Sequence, residues 1–84
     1  MSFAEQALRD KIEIRREYQR MYKHSAERAH DIRTRVLPPE KEAVRKKILH
    51  RYTLEKKQLC EIINDLGEEI WKMQKEMEEA RNNG

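Results

Sequence analysis

Eighty-four residues bound the chain to one small domain, and a composition 37% apolar against 42% charged leaves too little apolar surface for a compact globule. Charge this dense means either disorder or long helices with one apolar stripe, and two Gly and two Pro in the whole chain argue against a loop-rich or β-rich fold. The net charge of +3 is unevenly spread: residues 1–37 hold nine basic and six acidic side chains, residues 38–60 seven and three, and residues 61–84 three and seven.

The first helix announces its start. Ser2-Phe3-Ala4-Glu5 has the form of a capping box, in which the Ser2 hydroxyl accepts from the Glu5 amide. Apolar residues then recur at Leu8, Ile12, Tyr18, Tyr22, Ala29, Ile32 and Val36, at steps that keep them on one helical face. Lys11, Arg15 and Ser25 interrupt that seam, which lowers its stability but helps to set register and partner choice. No helix breaker falls between Phe3 and Val36, so a helix is expected over residues 3–36.

Leu37-Pro38-Pro39-Glu40 ends it. Leu37, preceding a proline, is pushed out of the α region, and two prolines cannot continue the helix. Pro39 suits the first turn of a new helix, and Glu40 and Glu42 favour the positive end of its dipole. A turn over residues 37–40 this short joins antiparallel neighbours.

The second helix, expected over residues 39–81, carries the stronger pattern. Leu49, Tyr52, Lys56, Leu59, Ile63, Leu66, Ile70, Met73, Met77 and Ala80 alternate steps of three and four, a heptad seam with one charged interruption. Val44, Ile48 and Ile62 widen it. Gly67 reads as a tolerated glycine at a crowded contact, because the heptad phase continues from Leu66 to Ile70; the rival reading is a break freeing residues 68–82. Asn82-Asn83-Gly84 reads as a frayed or appended end.

These elements specify an all-α fold: an antiparallel two-helix coiled-coil hairpin that dimerises into a four-helix bundle. Facing residues should have numbers summing to about 76, which places apolar positions opposite apolar ones along both helices. On that pairing the first helix runs out near Met73, leaving Met77 and Ala80 with nothing of their own chain to face. The seam is also wider than one helix covers, since Ile62 and Ile63 cannot both point at the same neighbour. The expected association surface is therefore Leu59, Ile62, Ile63, Leu66, Ile70, Trp71, Met73 and Met77, closed by a homodimer or by a heteromeric protein partner.

The polar residues suggest no catalysis. His24, His30 and His50 have no two members one turn apart on a helical face, and none pairs with Cys60, so neither metal nor cofactor is expected. No Gly-rich phosphate loop is present, and a two-helix rod offers no concave site. Arg33, Arg35, Lys41, Arg45, Lys46, Lys47 and Arg51 converge near the turn, with Arg28, His30 and His50 beside them. They form either an ordinary solvated face or a patch for an anionic partner such as nucleic acid, a tubulin-like acidic surface or phosphoinositide headgroups.

Cys60 is alone, which precludes an intrachain disulfide and fits a reducing compartment. No apolar run approaches the ~20 residues of a membrane span, and no signal-peptide core opens the sequence. Cytoplasm is the default expectation, with the nucleus as the other. The function expected is a non-catalytic interaction module, either a structural or adaptor scaffold or one segment of a larger coiled-coil protein. The alternatives are a hairpin effector that presents one face to a folded partner such as a small GTPase, and a basic bundle that binds nucleic acid.

Overall fold

The computed structural model describes residues 2–83, with side chains through Asn82. Helix α1 runs Phe3–Thr34 and helix α2 runs Glu42–Asn83, with a single 3₁₀ turn at Pro39–Lys41 leading into the second. The two helices fold back on each other as an extended antiparallel hairpin. The capping box opens α1 as expected: Ser2 Oγ accepts from the Glu5 amide at 3.2 Å.

α1 stops two residues short of the expected Val36, and the prolines explain why. Pro38 and Pro39 lack the amides that would bond the carbonyls of Thr34 and Arg35 one turn back. Arg35 and Pro38 adopt extended backbone, with ψ of 134° and 150°. Val36 therefore leaves the seam altogether and is 96% exposed. Leu37 turns back instead, lining a small cleft with Ile32, Val44 and Ile48.

Arg45 replaces one of the missing donors, at the Arg35 carbonyl, and serves a second carbonyl of the same last turn. Its guanidinium donates to the carbonyl of Arg33 at 3.4 Å and to that of Arg35, so a side chain of α2 caps the end of α1. A positive charge at a helix C-terminus also complements the dipole there.

The same connection corrects the register. Lys11 pairs with Glu69, Ser25 bonds Glu55, and Arg15 bonds the Ile63 carbonyl, so facing residues sum to about 80 rather than 76. Extended chain advances about 3.3 Å per residue, against 1.5 Å in a helix. The stretch from Arg35 to Pro38 thus overshoots the end of α1, and the first turn of α2 forms beyond it. The shift amounts to about one helical turn, which leaves the same faces in contact but changes which side chains meet.

With that shift α1 reaches further along its neighbour. Met77 and Ala80, expected to overhang, line a cleft of about 260 Å³ with Ala4, Met73 and Glu76. The start of α1 and the end of α2 thus lie together at one open end. α2 passes Gly67 without a break and continues through Asn82 to Asn83, where fraying was expected; Gly84 lies outside the described residues.

The result is a rod of 68 × 18 × 15 Å. Its Cα radius of gyration is 19.2 Å, where a compact chain of this length has about 12 Å. Among the described residues the buried apolar side chains are Ala29, Leu59 and Ile70, joined by the hydroxyl of Ser25.

Candidate interaction surfaces

The seam between the helices is built partly from polar side chains, and they lean in two directions. Lys11 Nζ meets Glu69 Oε2 at 2.9 Å, and Ser25 Oγ donates to Glu55 Oε1 at 2.5 Å. Both acceptors therefore lie on one edge of α2, fourteen residues and four turns apart. Arg15 leans to the opposite edge, where it donates to the Ile63 carbonyl at 3.1 Å and lies beside Gly67.

These cross-links identify what shares the first edge. Ile62 is seven residues from both Glu55 and Glu69, so it holds the same helical position between them. Ile14 and Met21, one heptad apart on α1, fall between Lys11 and Ser25 on the matching side. All three are substantially exposed: Ile14 46%, Met21 51% and Ile62 38%. An apolar patch thus lies along one edge, framed by an ion pair at one end and a hydrogen bond at the other. It is also central, since Ile62 is at the midpoint of α2 and Ile14 and Met21 straddle that of α1.

The eight residues expected to form an association surface divide into three groups. Leu59 and Ile70 are buried against α1, so they hold the hairpin itself and are not available to a partner. Ile63, Leu66, Met73 and Met77 are half-buried along the same seam. Ile62 and Trp71 face out. Trp71, at 59% exposure, lies on a different face from Ile62, and Lys75 Nζ sits 5.0 Å from its ring centroid. Ile14 and Met21 fall off the apolar seam of α1, and nothing local in the sequence joins them to Ile62. Their heptad spacing was the available signal, and the register that unites them was set by the connection.

The basic cluster loses one member. Arg45 has a side chain only 16% exposed, is tied to the end of α1 and lies 3.6 Å from Glu42, while its Nε is buried without a hydrogen-bond partner. It is a structural cap and not part of a free patch. Arg33, Arg35, Lys41, Lys46, Lys47 and Arg51 remain exposed around the turn. Tyr18 and Tyr52 are half-buried at the seam, and Tyr22 is more open. Among the described residues no His, Cys, Asp and Glu side chains gather into a group that could hold a metal ion, and no helix is long and apolar enough to cross a membrane.

No family model, curated protein or solved structure matches this chain.

Proposed function

We propose that the hairpin is a non-catalytic protein–protein interaction module of the cytoplasm, a structural or adaptor scaffold that works by packing helix against helix in a coiled-coil bundle. One observation carries this reading: the rod has far more surface than its thin core justifies. Its accessible area is 7082 Å², whereas a compact monomer of this mass exposes about 5,400 Å². Burying an aliphatic side chain contributes about 1.5–3 kcal/mol, and the hairpin alone buries few. The exposed central edge of Ile14, Met21 and Ile62 supplies more, once another helical surface covers it.

Thermal unfolding followed by circular dichroism, together with sedimentation of the isolated chain, tests the proposal. A module that needs its neighbour should be marginal alone, or should gain stability as concentration rises. A monomer with cooperative unfolding worth about 5 kcal/mol or more at every concentration would show that the hairpin needs nothing else.

A second reading draws on the exposed cations around the turn. They support contact with an anionic polymer, whose affinity would fall steeply with salt as neutralised phosphates release counterions. Arg45 takes no part in it, because its guanidinium is already engaged.

A further inference from the structure

The central edge lies between two halves of opposite charge. The turn half of the rod, residues 19–60, holds twelve basic and five acidic side chains, a net +7. The open half, residues 2–18 and 61–83, holds seven basic and eleven acidic, a net −4. The boundary between them runs through the level of Ile62, so apolar patch and charge reversal coincide.

From this placement we infer that the occupant of the edge is a second copy of the chain, packed antiparallel about a two-fold axis near Ile62. The inference rests on the reading of the hairpin as an interaction module and specifies its partner. The operator sets Ile62 against its own counterpart and brings Ile14 of one copy within about a residue of the level of Met21 of the other, because positions 14 and 21 lie four and three residues to either side of the axis level. It also lays the +7 half of each copy along the −4 half of the other, twice in one interface. A parallel arrangement would set +7 against +7 over the same length, and like charges in register suppress association.

Area supports a partner as long as the rod. The surplus over a compact monomer is about 1,700 Å², of the order that one subunit loses in an extensive homodimer, where about 2,000–5,000 Å² is buried in total. A short peptide on three side chains would cover much less.

Orientation is measurable with spin labels. Cys60, which is exposed, is replaced by Ser, and a single label is placed at Val36→Cys on the turn or at Asn82→Cys at the open end. Antiparallel pairing predicts that two turn labels lie apart by most of the 68 Å rod, while a turn label and an open-end label on different chains lie close. Turn labels close to each other would overturn the orientation and leave the interaction module standing. A chain that is monomeric at hundreds of micromolar and marginally stable would overturn the second copy in favour of a different partner. A monomer that is independently stable would overturn both. Ile62→Asp and, separately, Met21→Asp should each raise the dimer dissociation constant roughly 30-fold or more, with helicity retained because neither side chain is buried in the hairpin. Trp71→Asp, an exposed change on the opposite face of α2 from Ile62, is the control expected to leave it unchanged; equal loss from all three would refute the patch. Dimerisation abolished only by a polyanion would instead assign the basic half to another class of partner.

Discussion

Arg15 occupies the space that a side chain at position 67 would need. A Cβ on Gly67 would lie 3.3 Å from Arg15 Nε, and that same nitrogen donates to the Ile63 carbonyl at 3.1 Å. The guanidinium therefore cannot give way without lengthening its hydrogen bond. A glycine inside a helix costs about 1 kcal/mol relative to alanine, and this contact offsets it.

Gly67→Ala should accordingly bring little or no gain in the native background. In an Arg15→Ala background the same change should stabilise by about 1 kcal/mol, the full difference in helix propensity. A double-mutant cycle in urea reads the coupling directly. Equal effects in both backgrounds would mean that Arg15 moves aside freely.

Ser25 and Glu55 should respond unequally to deletion. Ser25 is 3% exposed while Glu55 keeps contact with solvent. Ser25→Ala leaves a carboxylate that water can hydrate, and should cost less than about 0.5 kcal/mol. Glu55→Ala strands a buried hydroxyl and should cost about 1 kcal/mol, near the lower end for an unsatisfied group, because Ser25 can turn back to a carbonyl on its own helix. Combining the two should recover most of that loss in denaturant melts.

Arg45→Met keeps the aliphatic stem and removes the guanidinium from the end of α1. The loss of hydrogen bonds from a charged donor should lower stability by about 1.5–3 kcal/mol. Lys46→Met and Lys47→Met, at exposed neighbours, should stay within about 0.5 kcal/mol. Matching losses at all three positions would argue for a diffuse charge effect in place of a cap.

Much of this architecture was legible from residue types alone. The capping box, the double proline and the heptad seam of α2 each placed an element, because each acts through local backbone chemistry. Register was not legible, since a seam that repeats every turn is equally satisfied by pairings one turn apart. The choice depended on how far Arg35–Pro38 travels, and on Lys11, Arg15 and Ser25 finding Glu69, Ile63 and Glu55. Those three interrupt the apolar seam at positions expected to help set register, but nothing in the sequence names their partners across it. Leu59 and Ile70 were read as partner surface for a related reason: an apolar heptad position does not reveal which helix it will face.

Reversing Lys46, Lys47 and Arg51 to Glu should weaken self-association while leaving helicity intact, because all three are exposed on the turn half. The native chain should also associate less tightly as salt rises, since the Debye length contracts from about 10 Å at 0.1 M to 3 Å at 1 M. The triple variant should lose that salt dependence. Sedimentation at low and high ionic strength decides; an unchanged dissociation constant would return these side chains to a solvated face.

Ala4 and Ala80 line the same cleft, so the chain enters and leaves the hairpin side by side. Any polypeptide joined before Ser2 and any joined after Asn83 would hang from one base, with the turn held 68 Å away as a tip. Two such stalks laid head to tail would hold their bases at opposite ends, like a strut with an attachment point at each foot. Its span would follow from the rise of about 1.5 Å per helical residue, so adding or deleting a heptad in both helices would change the distance between whatever it joins by about 10 Å.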